Sequence, residues 1–186
     1  MIIGLYGRIG SGKTTLCNYL RTKGFFVIDA DKISRDILMP GKKGLQAVVD
    51  TFGADYLNPD GRLNRKKLGD YVFSNREALC KLNGITHPLI EEEITRSIKQ
   101  HRSRHIVIEG AVLYATKIVD LCDKTVVVTS NNTLARIMKR DFLTEGAALS
   151  RIQAQEVYEK ADILIENNGT LPEFYQKIDE MLLSIL

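Results

Sequence analysis

The sequence is poor in cysteine, and the cysteines it has are scattered. Cys17, Cys80 and Cys122 are the three, and no CxxC pair occurs. That spacing excludes a disulfide framework and the usual zinc sites, and it fits a reducing, cytoplasmic setting. Long apolar runs are also missing. No stretch approaches the roughly 20 residues that a membrane span needs. The N-terminus lacks a basic region followed by an apolar core, so neither a secretory signal nor a membrane partner is expected. Aromatics make up only 7% of the chain, with no basic stripe interleaved among them. Nucleic acid is therefore not an expected partner. The net charge of +3 is modest, but it suits anionic small molecules such as nucleotides. No internal repeat or low-complexity tract is present.

What is there reads as a soluble globular protein, 44% hydrophobic and 26% charged. Its 186 residues allow one domain with a smaller insertion, enough to bury a sizeable core. Ile2 to Tyr6 forms a short apolar run, expected to be a buried strand. Leu16, Tyr19 and Leu20 then follow at helical spacing, and the helix is expected to stop at Gly24. "FFVIDAD" reads as a second strand ending in acid. "HIVIEGAV", "KTVVVTS" and "ADILIENNG" read as three more. "NNTLARIMKRDF" and "TEGAALSRIQAQ" read as helices, with Asn131 or Asn132 and then Thr144 as caps. Leu171, Phe174, Ile178, Met181, Leu182 and Ile185 share one face of a closing helix. Short apolar strands alternating with helices predict an α/β fold: a five-stranded parallel sheet covered by helices on both faces. From Lys32 to about Arg104 the chain is polar and helix-rich, with no strand signal. "PGKKG", "NPDGR" and "HP" punctuate it as turns or helix starts. The expected division is a core of residues 1–31 and 105–186 with a helical, substrate-gripping insertion at 32–104.

The densest signal is Gly7-Arg8-Ile9-Gly10-Ser11-Gly12-Lys13-Thr14. It matches GxxxxGK[ST] in full, after a strand and opening a helix. Backbone N–H groups can wrap a polyphosphate only where side chains leave room, and a helix N-terminus adds its positive end. Gly10, Ser11 and Gly12 are the cradle. Lys13, expected to face solvent until nucleotide arrives, supplies charge to the β- and γ-phosphates. The Thr14 hydroxyl is a ligand for Mg²⁺. Thr15 either touches the α-phosphate or caps the helix. The expected co-substrate is ATP with Mg²⁺.

A phosphate cradle does not choose an activity. "DAD", Asp29 to Asp31, ends the second strand, at the sheet edge that faces the ligand crevice in open α/β folds. A carboxylate there can orient an acceptor hydroxyl and take its proton. Asp29 serves either that role or a helix cap. Arg136 and Arg140 are four apart, on one helix face. They either clamp the transferring phosphate or form a solvated basic face with Lys139. Glu109 either reaches Mg²⁺ through water or faces solvent at a strand end. His87 precedes Pro88, a good first-turn residue for a helix, so it either packs there or meets substrate.

Taken together, the chain resembles the dephospho-CoA kinase family from roughly Gly4 to Gly169. The strings that carry the resemblance are "IGSGKTT", "VIDAD", "NPDGRLNRKKLGDYVF", "HPLI", "RD" followed by "RIQAQ", and "ADILIENNG". The P-loop alone is widespread; "NPDGRLNR" followed by "HPLI" is far more specific. The resemblance implies transfer of the ATP γ-phosphate to the ribose 3′-hydroxyl of dephospho-CoA, the last step of coenzyme A synthesis. It implies a P-loop kinase core, a lid at about residues 136–156, and an insertion on the coenzyme A side. Asp31 matches the family's base and Arg140 its lid arginine. Arg136 and Asn167 fall on the nucleotide side, Arg65 and His87 on the acceptor side. Two departures stand out. Tyr6 and Arg8 replace the usual Thr and Gly. "AVLYA", Ala111 to Ala115, replaces a segment like "PLLFE" and so lacks its proline and acid. Two other readings remain: a kinase for a nucleoside monophosphate or sugar acid, and a non-enzymatic nucleotide switch. A monomer or small homo-oligomer is expected.

Overall fold

The computed structural model describes residues 1–153 and 161–186. They form two compact units, Met1–Ile28 with His101–Leu186, and Asp29–Gln100. The borders thus fall slightly earlier than the expected 31/32 and 104/105.

The first unit is built on a parallel sheet. Its strands are β1 (Ile2–Gly7), β2 (Phe26–Asp29), β3 (Ile106–Glu109), β4 (Lys124–Thr129) and β5 (Ile163–Glu166). Their order across the sheet is β2-β3-β1-β4-β5. β1 is central, with Ile3 opposite Val107 on one side and Leu5 opposite Val126 on the other. Its alternation decides which residue faces where. Ile3 and Leu5 are buried with Leu16 and Leu20 of α1 (Lys13–Thr22) and with Phe174 and Ile178 of the closing helix (Leu171–Ile185). Tyr6 points to the opposite face and meets Tyr114 edge-on, ring centroids 4.5 Å apart. Two 3-10 segments, Ala111–Leu113 and Lys117–Leu121, follow β3. α1 stops where expected, with Gly24 just past its end at φ 89°.

The second unit is helical: α2 (Ala30–Asp36), α3 (Lys43–Phe52), α4 (Arg65–Ser74) and α5 (Arg76–Gln100). "NPDG" forms the expected turn. The Gly61 N–H donates to the Asn58 carbonyl at 2.9 Å, and Leu57 and Leu63 bridge antiparallel across it. The turn delivers Asn64 as the α4 cap, its side chain accepting from the Lys67 N–H at 3.0 Å. One expectation fails here. "HP" starts no helix; Pro88 lies inside the 25-residue α5. The proline deprives the Gly84 carbonyl of its helical partner. Gly84 is exposed, so water can take that carbonyl, and Ile90 and Ile94, both buried, hold the helix past the break.

The acid pair is resolved locally. β2 ends at Asp29, whose side chain accepts from the Lys32 N–H at 2.7 Å and caps α2. Asp29→Ala should cost about 1 kcal/mol and lower Tm by about 2–4 °C in a calorimetric scan. Asp29→Asn, an equally good cap, should match the parent; a larger loss than for alanine would contradict the capping role.

Two further helices belong to the first unit. α6 (Thr133–Asp141) starts after Asn132, which makes no side-chain cap bond, whereas Thr144 does accept from Ala147 ahead of α7 (Glu145–Gln153). The closing helix, α8 (Leu171–Ile185), opens on a reciprocal box between Thr170 and Glu173. Its Leu171 is 51% exposed, unlike the rest of the face expected for it. Residues 154–156 of the expected lid, and the end of the "RIQAQ" string, lie outside the described residues.

Candidate active site

β1 hands directly into the glycine-rich loop, and the loop hands into α1. Gly10 and Gly12 adopt φ values of 80° and 112°, which L side chains rarely take. Crowding adds to this. A Cβ on Gly12 would strike the side-chain amide of Asn167, and one on Gly10 would come within 3.0 Å of Ile137 Cγ1 and the Thr133 carbonyl. The glycines therefore let the loop seat against α6 and the β5–α8 turn. Gly12 precedes α1 and gives it no side-chain cap. The first-turn N–H groups, with the positive end of the helix dipole, make an anion site there.

Three contacts fix the loop's shape. The Ser11 N–H donates to the Arg8 carbonyl at 3.1 Å. The Ser11 carbonyl accepts from Asn167 Nδ2 at 2.7 Å and from Arg136 Nη1 at 3.4 Å. Arg136 Nη2 also donates to the Asn167 carbonyl at 3.2 Å, and Ser130 Oγ donates to that same oxygen at 2.8 Å. The Ser11 hydroxyl is buried and, among the described residues, has no hydrogen-bond partner. Such an atom costs about 1–3 kcal/mol, and a loop that tolerates it is one shaped by something other than its own stability.

Lys13 does not face solvent as expected. It is half-buried, and its Nζ donates to the Gly7 carbonyl at 2.7 Å and the Arg8 carbonyl at 3.3 Å. Through these two bonds the ammonium staples the loop. Thr14 is exposed at the start of α1, with Thr15 half-buried behind it. Glu109 pairs in register with Leu5 at the end of β3. Rather than facing solvent alone, it lies beside Cys17, whose thiol is pushed up by burial and then by that carboxylate.

The two arginines of α6 part company. Arg136 grips the loop, as described. Arg140 is exposed and holds its neighbour Asp141 side-on, at 2.7 and 2.9 Å. The structure therefore brings Gly10, Ser11, Gly12, Lys13, Arg136 and Asn167 together in the first unit, and leaves Arg140 outside that network. In the second unit, Asp31 is exposed in the first turn of α2. Arg65 opens α4, its Nη2 donating to the Arg35 carbonyl at 2.9 Å. His87 is half-buried on α5; burial lowers its pKa, and Glu91 one turn on opposes this. Sequence reading missed Ser130 and Ile137, whose roles come from distant parts of the chain meeting the loop.

The family model described as dephospho-CoA kinase (CoaE) matches residues 1–173. The chain belongs to the dephospho-CoA kinase family. A dephospho-CoA kinase of Carboxydothermus hydrogenoformans is 42% identical over 194 residues, covering 100% of this chain and 92% of that one. Among solved structures, one from Thermus thermophilus superposes with a TM-score of 0.84 at 25% identity, covering 100% and 98% of the two chains. The dephospho-CoA kinase of Campylobacter jejuni gives 0.64 at 28%, covering 99% and 96%. The fold is thus that of a P-loop kinase, and the expected five-stranded parallel sheet with helices holds. No helix among the described residues is long and apolar enough to cross a membrane.

Proposed function

We propose that the chain transfers the γ-phosphoryl group of ATP to the ribose 3′-hydroxyl of dephospho-CoA, with the labour divided between its two units. The observation that carries the reaction is the family match across residues 1–173. The first unit takes ATP. Its uncapped N–H groups at the start of α1 receive the phosphates, with Gly10, Ser11, Gly12, Thr14 and Thr15 around them. Lys13 exchanges two carbonyl partners for the β- and γ-phosphate oxygens. Arg136 and Asn167 hold the Ser11 carbonyl outward, which keeps the loop's N–H groups turned to the nucleotide. In the second unit, Asp31 orients the 3′-hydroxyl and accepts its proton, while Arg65 and His87 contact the acceptor. Phosphoryl transfer has a loose transition state, so this positioning matters more than basicity.

The donor set suits Mg²⁺. No cluster of three or more His, Cys, Asp or Glu among the described residues could hold a metal ion. Mg²⁺ binds through few protein oxygens plus substrate phosphates, and the exposed Thr14 hydroxyl is one such oxygen. When bound, the ion neutralises charge on the phosphates. The chain acts in the cytoplasm, as a monomer or small homo-oligomer.

The direct test is ADP release with dephospho-CoA, set beside CMP and gluconate. Release with dephospho-CoA alone is expected. Preference for CMP or gluconate would move the chain to another kinase class, and release without any acceptor would favour a nucleotide switch. Arg140 supplies a second check. Its guanidinium, tied among the described residues to Asp141, can swing from that partner to transferring phosphate in a closed state. Arg140→Ala should lower kcat about tenfold or more while ATP affinity by equilibrium titration stays within about twofold. A parallel loss of affinity at unchanged kcat would refute the lid role.

A further inference from the structure

Arg35 carries no motif, yet the fold gives it company. It lies on α2 four residues after Asp31, hence on the same face, about one 5.4 Å turn along. Arg65 reaches the same place from α4. Its Nη2 donates to the Arg35 carbonyl at 2.9 Å, which pins the Arg65 guanidinium at the carboxyl end of α2. Burial first, and the charge of Arg35 next, lower the Arg65 pKa; Asp36 acts in the opposite sense. Among the described residues neither arginine forms an ion pair, although Arg62, Arg96 and Arg140 each do. Backbone geometry thus holds the Arg65 guanidinium at the end of the helix that carries Arg35, within reach of the Arg35 charge, and among the described residues no carboxylate forms an ion pair with either.

The geometry points to Arg35 and Arg65 as a two-pronged clamp for the 5′-pyrophosphate of dephospho-CoA. This rests on the dephospho-CoA kinase reading. Guanidinium forks match phosphate oxygens bidentately, and a diphosphate offers one phosphate to each. The spacing along α2 agrees: a ribose ring separates the 3′-oxygen from the 5′-phosphate, and one helical turn separates Asp31 from Arg35. Arg35 is a substrate-binding residue on this account, and the clamp selects for acceptors that carry 5′-phosphates.

The test compares Arg35→Gln and Arg65→Gln with the parent, using dephospho-CoA and adenosine as acceptors. The KM for dephospho-CoA should rise about tenfold or more in each variant, the scale of losing a hydrogen bond to a charged group. The KM for ATP should hold within about twofold, and the kcat/KM preference for dephospho-CoA over adenosine should fall by the same factor as the KM rises. If a glutamine variant melts early, Arg35→Lys or Arg65→Lys takes its place. Charge is then kept and the fork lost, so the KM should still rise by about threefold or more. An unchanged KM for dephospho-CoA, or an equal loss on adenosine, overturns the clamp alone. A parent protein with no turnover on dephospho-CoA overturns the reaction and the clamp together.

Discussion

Lys13→Ala is expected to abolish phosphoryl transfer while the protein stays folded. The ammonium is placed at the loop itself: Lys13 is the first residue of α1, on a stem that reaches the Gly7 and Arg8 carbonyls. The loss in kcat should be about 10³-fold or more, at or beyond the scale of removing one preorganised electrostatic group. Stability should change little. Two hydrogen bonds to carbonyls contribute roughly 1 kcal/mol each, against a total of about 5–15 kcal/mol. Coupled ADP-release kinetics and a thermal melt on the same preparation decide the matter. Activity within a few-fold of the parent would remove Lys13 from the mechanism. Loss of a cooperative melt would show its role to be structural.

Asp31→Asn should lower kcat by about 10²-fold or more, the usual scale for a positioned acid–base group. The two aspartates of "DAD" are separated by what each does in α2. Asp29 spends its carboxylate on the Lys32 N–H, while Asp31 sits exposed one residue past Ala30, in the first turn. Asparagine keeps the shape of either side chain and removes only its charge. ATP binding, followed with a fluorescent analogue, should hardly change, because the loop is untouched. The series should therefore show Asp31→Asn inactive and as stable as the parent, with Asp29→Asn active. If Asp29→Asn kills turnover at unchanged stability while Asp31→Asn stays active, the proton acceptor is Asp29.

The parts of the fold legible in the sequence are those written in short, dense signals. Strand β1 is an apolar run bounded by glycine, and the loop after it needs glycine at fixed offsets. The family string "NPDGRLNR" was legible for the same reason: it packs a turn, a cap and a helix start into a few residues. Pro88 shows the limit of such local rules. Read alone, it starts a helix; in the protein, buried Ile90 and Ile94 on the same helix outweigh the broken hydrogen bond. The fate of Lys13 and the split between Arg136 and Arg140 were not legible. Each depends on which backbone oxygen a long side chain finds, and Ser11 meets Asn167 and Arg136 only through the tertiary fold. Arg35 escaped for a related reason, since its partner Arg65 arrives on another helix.

The central place of β1 has a consequence for how the protein is made. Strand β1 leaves the ribosome ahead of both its neighbours and waits for Val107 and Val126 before it is paired on either side. Closing such long loops costs entropy in advance of any contact, which slows pairing. Residues Asp29–Gln100 form a compact unit of their own and have all been made before β3 begins. The nucleotide loop comes last of all, because the Ser11 carbonyl has no amide from Asn167 to hold it until β5 has emerged. A chain that ends before β5 therefore lacks the Asn167 amide that holds the Ser11 carbonyl of the glycine-rich loop. A chain halted at Thr129 should not be retained on an ATP-affinity matrix; retention would mean that the cradle closes without its last strand.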